Sequence, residues 1–207
     1  ITETKNPNSP LNLAKLIFDK PFNYMDYKED IFTLIGTIPW NKLYLREMLI
    51  KNDLKFPNLT GPDDLCFVHM SIVCAEKIVA IDDELINYRY NRQGSVQTYR
   101  ANHTIDIVKA FLYLKNFLKQ KNLYEILSTA YQKALVFSLR WEVGLCNEEQ
   151  YKNFLKELKI LLPDDWQEYE NLLKKKDCSI DSINKIIGDQ KVYLWGASNF
   201  LKNLLKR

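Results

Sequence analysis

The sequence predicts an α+β protein that is mostly α-helical, with a small mixed sheet in its first half and the start of a βα unit at its end. Two observations carry this. Five segments with the 3.6-residue period of amphipathic helices fill most of residues 105–187, whereas only three short runs rich in Ile, Val, Leu and Tyr (77–82, 85–91 and 192–195) suit strands. Composition agrees with a folded core: of 207 residues 46% are hydrophobic and 13% aromatic, against only 6 Gly and 7 Pro.

Taken in order, Pro7 to Pro10 is a loop, and the apolar residues Leu11, Leu13, Leu16, Ile17 and Phe18 predict a short helix that Pro21 ends. A second apolar segment covers 31–38. Pro39 breaks the chain, and a helix is predicted over 40–52 from Leu43, Tyr44, Leu45, Met48, Leu49 and Ile50, closed by Asn52-Asp53. Residues 56–62 form a Pro/Asn/Gly loop. Asp63-Asp64 then opens a run over 65–75 that is apolar almost all round, as a core helix is. In 85–91, Ile86, Tyr88 and Tyr90 alternate with Asn87, Arg89 and Asn91, the mark of a half-buried strand. Helices follow over 105–121, 123–143, 148–162, 166–175 and 180–187. At the end, Val-Tyr-Leu-Trp at 192–195, Gly196 and an apolar-sided 199–206 make strand, turn and helix. These shifts suggest three parts: 1–101, a helical region over 102–187, and the opening of a Rossmann-like segment over 188–207. Ile1 in place of Met and the unfinished last unit lead us to expect a piece of a longer protein.

Lys and Arg number 29 against 26 Asp and Glu, so the net charge of +3 gives no reason to expect nucleic-acid binding. Cys66, Cys74, Cys146 and Cys178 contain no CxxC pair and only two histidines accompany them, so neither a zinc cage nor a disulfide framework is signalled. Reduced thiols in the cytosol are the expectation. Asn58-Leu59-Thr60 and Asn102-His103-Thr104 are formal glycosylation sequons, read as chance. No apolar run approaches the roughly 18 residues of a membrane span.

Asp63 and Asp64 admit two readings. One is an N-cap with a first-turn acid that complements the helix dipole, worth about 0.5–2 kcal/mol. The other is a carboxylate held by a rigid core helix and facing a cleft, as a general base requires. Tyr88, Arg89, Tyr90, Arg92, Gly94, Ser95, Tyr99 and Arg100 mix cations, aromatics and a turn. They suit either a phosphate clasp or an exposed face with snorkelling side chains. His69 reads as a satisfied core histidine, and His103 brings no constellation with it.

In order and spacing, Pro39-Trp40-Asn41-Lys42-Leu43-Tyr44, Lys51-Asn52-Asp53-Leu54-Lys55-Phe56-Pro57, Asp63-Asp64-Leu65-Cys66-Phe67, the run Ala75 to Asp82, Tyr88-Arg89 and Gly94-Ser95 resemble bacterial family 2 glycosyltransferases over residues 31–100. The resemblance implies the acceptor-side half of a GT-A fold in an inverting enzyme of surface-polysaccharide synthesis, with Asp64 as catalytic base beside Asp63. It further implies Arg89, Arg92, Ser95, Trp40 and Lys42 as substrate- or diphosphate-binding groups. Two departures stand out: Asp63 occupies a place where the family usually has Glu, and the family's metal-binding Asp-x-Asp does not occur in these 207 residues. Asp82-Asp83-Glu84 comes after the base and reads as a turn. A divalent Mg or Mn ion is thus expected with its ligands outside this chain, on a donor-binding half that precedes it. The implied partners are a nucleotide-sugar donor and a saccharide or lipid-linked acceptor. The implied location is the cytosol or the inner face of the membrane, with peripheral membrane association as one arrangement, and the fragment alone is expected to be inactive. The alternative is a non-catalytic helical interaction or scaffold domain.

Overall fold

The computed structural model describes residues 19–81 and 103–174. Within them the chain forms a short 3-10 helix at Tyr24–Tyr27 and seven α-helices: α1 Ile31–Leu34, α2 Arg46–Lys51, α3 Asp63–Cys74, α4 Ile105–Gln120, α5 Tyr124–Gly144, α6 Glu148–Leu161 and α7 Trp166–Lys174.

Local chemistry sets most of these boundaries. Asn147 begins α6 in a capping box, its side chain accepting from Gln150 N at 2.9 Å while the Gln150 side chain accepts from Asn147 N at 2.9 Å. α4 stops at Asn122, whose φ of 56° suits a short polar side chain, and Leu123 N then donates back to Leu118 O at 2.8 Å. Asp53, with φ 48°, ends α2 the same way, as Leu54 N donates to Leu49 O.

α3 lies at the centre, with every residue from Leu65 to Val73 buried. It packs on α4, which also packs on α5 and α6; α1 rests on α5, and α7 closes against α5 and α6. The buried residues of all these helices form one hydrophobic cluster, so the predicted parts 1–101 and 102–187 share a core through α3 and α4. Polar groups tie the helices to each other and to the loop before α3. Tyr131 OH donates to Phe111 O at 3.0 Å, the Cys66 thiol to Ala110 O at 3.3 Å, and Thr60 N to Asp106 Oδ2 at 3.1 Å.

The structure corrects the predicted fold class. Among the described residues there is no strand and no GT-A sheet: the predicted strand over 77–82 contributes one isolated antiparallel bridge, Phe22 with Ile78. Both hydrogen bonds of that pair are made, at 2.9 and 2.7 Å, but neither end can grow. On one side Asn23 caps the 3-10 helix; on the other Asp19 turns left-handed at φ 61° and donates out of register to Ala80 O. The helix predicted over 40–52 is also shorter. It starts at Arg46, because residues 36–42 are held as a loop and Leu45 is extended. The strand over 85–91, the turn at 82–84, the helices over 11–19 and 180–187 and the terminal βα unit lie outside the described residues.

Candidate functional site

α3 begins at Pro62, which makes no side-chain cap, so Asp63 and Asp64 occupy the first turn and neither is the N-cap. This corrects the capping half of the structural reading. What remains of it is two half-buried carboxylates near the positive end of the helix dipole, a favourable placement of about 0.3–1 kcal/mol each.

Helical spacing puts Asp63 (i−4) and Asp64 (i−3) on the same side of α3 as Phe67. Phe67 is the middle of an aromatic cluster. Phe56 stacks flat on it, with ring centroids 4.0 Å apart and planes at 12°, and Tyr44 meets it edge-on at 5.2 Å and 66°. Tyr44 arrives from the loop before α2, and Phe56 from the loop after it. The Tyr44 hydroxyl is buried without a hydrogen-bond partner among the described residues. Burial, and then the nearby Asp64 carboxylate, push its phenol up to about 12, so at neutral pH it stays protonated and keeps a hydrogen to donate. Phe56 keeps 48% of its surface in solvent. The site therefore combines a carboxylate, an unpartnered phenol donor and a partly open aromatic ring.

The other expected site residues are placed differently. The half-buried Lys42 ammonium donates to Gly36 O at 2.7 Å, Ile38 O at 2.7 Å and Asn41 Oδ1 at 2.8 Å, which makes it a clamp on its own loop. Trp40 is exposed in the turn beside it. Arg89, Arg92 and Ser95, with the rest of the cluster over 88–100, lie outside the described residues. Tyr44 and Phe56 are the site residues that sequence reasoning missed as such. Both stood inside the quoted motifs, but their meeting at Phe67 joins three separate segments and leaves no local signal.

Neighbouring groups that could compete for chemistry are silenced by burial. Burial and then Asp63 push the Cys66 thiol up to about 12, which removes it as a nucleophile. His69 is 1% exposed and sits against Phe32, ring centroids 4.6 Å apart. It is a core histidine as expected, but not a satisfied one, since among the described residues neither ring nitrogen has a hydrogen-bond partner of good geometry. Burial, with the Lys42 charge adding to it, lowers its pKa to about 3 against the opposing pull of the Phe32 backbone. Among the described residues no three His, Cys, Asp or Glu side chains gather where they could hold a metal ion. No described helix is long and apolar enough to cross a membrane.

No known protein family, no curated protein and no solved structure matches this chain. The likeness to family 2 glycosyltransferases stands on its motifs alone.

Proposed function

We propose that this chain serves sugar transfer as part of an inverting glycosyltransferase, with Asp64 as general base toward the acceptor hydroxyl. One observation supports this most: a carboxylate on a rigid core helix shares a side with the Phe67–Phe56 stack and lies near a phenol that lacks an acceptor. Buried polar groups without partners call for an explanation, and a bound hydroxyl supplies one here. An aromatic ring beside a few placed polar groups is also how sites orient a mixed polar and apolar ligand such as a sugar.

In the proposed step the acceptor O–H donates to Asp64, and its proton passes to the carboxylate as the oxygen attacks the anomeric carbon. The bond from that carbon to the donor diphosphate breaks, the diphosphate leaves with the electron pair, and configuration inverts. Tyr44 donates to an acceptor oxygen and orients it. Arg89 and Arg92, with Ser95, are the sequence's candidates for the leaving charge. The donor is a nucleoside diphosphate sugar and the acceptor a saccharide or lipid-linked hydroxyl. Work in the cytosol belongs to this reading, in keeping with four cysteines that contain no CxxC pair.

The test is Asp64→Asn in the full-length enzyme, read as acceptor-dependent release of nucleoside diphosphate. Turnover should fall roughly 100-fold or more while stability stays within about 1 kcal/mol, since no cap is lost. Asp63→Asn should cost less. Equal, small effects of both changes would favour the second reading, a helical interaction domain, which the absence of any strand among the described residues also suits.

A further inference from the structure

We propose that the stretch from Trp40 to Lys51 docks this chain on the surface of an anionic lipid bilayer. Apolar residues here point two ways. Tyr44, Met48 and Leu49 pack against the hydrophobic core, whereas Trp40, Leu43, Leu45 and Ile50 are 43%, 102%, 67% and 61% exposed. Leu43 and Leu45 flank the inward Tyr44 ahead of α2, and both are turned away from the core.

The accessibility of Leu43 bears on what meets it. A side chain that is fully accessible lies in no groove, and an apolar knob without a surrounding concave rim suits a fluid interface that closes around it. Trp belongs at the boundary between water and acyl chains. Arg and Lys lay their stems along apolar surface with the charge in water, and Arg46 and Lys51 are exposed among these knobs. Residues 40–55 carry Lys42, Arg46, Lys51 and Lys55 against Glu47 and Asp53, a local surplus of two positive charges; Lys42 is held by its own loop and Lys55 is paired with Asp53, so Arg46 and Lys51 are the cations this stretch presents outward. That surplus complements anionic headgroups. Attachment through a few apolar side chains and headgroup contacts is peripheral and reversible. The inference does not rest on the transfer reaction, although a lipid-linked acceptor would agree with it.

The experiment is co-sedimentation of the full chain with two kinds of vesicle, pure phosphatidylcholine and phosphatidylcholine containing phosphatidylglycerol at about 30%. Binding should favour the anionic vesicles. Leu43→Ser with Leu45→Ser should weaken it roughly tenfold or more, since each leucine loses apolar transfer free energy. Far-UV circular dichroism and melting temperature should not change, because neither side chain is buried. Arg46→Gln with Lys51→Gln should abolish the preference for anionic lipid while retaining the residual apolar binding. Absence of vesicle binding, or binding indifferent to the leucine pair, would overturn the proposal. So would a concentration-dependent dimer that the serine pair abolishes in a protein that ignores vesicles, since a second copy would then be what covers these side chains.

Discussion

His69 ties a single side chain to the behaviour of the whole chain. It sits fully buried in α3 with both ring nitrogens unpaired, and burial lowers its pKa from 6.5 to about 3. Unfolding exposes it and restores the ordinary value. The unfolded state therefore binds a proton that the folded state refuses, and stability present above pH 6.5 is lost as pH falls from there toward 3. The slope from this group alone is about 1.4 kcal/mol per pH unit in that window. Urea unfolding of wild type and His69→Leu at pH 7 and pH 4.5 should show a smaller acid loss in the variant. An identical loss in both would assign the acid sensitivity to carboxylates instead. The sequence showed that this residue belongs to the core, because it interrupts an apolar run. It could not show that the imidazole has no partner, since the residues enclosing it come from α1 and the 36–42 loop.

At the level of elements, the long helices were legible, α3 in the first half and those of the second half, and the short segments were not, for one physical reason. α4 to α6 are long, and their periodic apolar faces and terminal signals (Asn122 at a left-handed stop, the Asn147 box at a start) agree with each other. The predicted bounds fall within a residue or so of the observed ones. Short segments lack that redundancy. The run 77–82 has strand composition but makes a β-bridge only with Phe22 among the described residues, and Leu43-Tyr44-Leu45 fits a helical pattern yet lies before α2, with Leu45 extended and Tyr44 seated on Phe67. Tertiary contact overrides propensity where the local signal is weak. The strength of the local signal can be measured at α6. Asn147→Ala removes one side of the capping box and leaves Gln150 N without its acceptor, so it should cost about 1 kcal/mol, read as a lower urea midpoint with an unchanged slope. Asn147→Asp should retain most of that stability. A null effect of the alanine would mean that packing of Phe154 and Leu158 alone holds the helix in place.

For the molecule as a whole, α4 is the joint. It is the one described helix that packs on α3, which carries Asp64, and also on both α5 and α6. Leu114 on α4 is fully buried in the common cluster, and so is Leu158 on α6. If the described helices unfold as one unit, Leu114→Ala should lower stability by about 2–5 kcal/mol through lost burial and the cavity left behind. It should lower it equally for every probe. Trp166, which begins α7 with Lys159 4.2 Å above its ring, reports on α7 through fluorescence once Trp40, Trp141 and Trp195 are replaced by Phe. Far-UV circular dichroism reports all helices together. Coincident midpoints before and after the substitution are the expected result, because α7 reaches the core through α5 and α6, which rest on α4. A fluorescence midpoint that stays in place while the dichroism midpoint falls would divide the molecule between α4 and the helices after it. The support that α4 gives to α3 and its acidic first turn would then be local, and changes in α6 or α7 would leave the Asp64 site untouched.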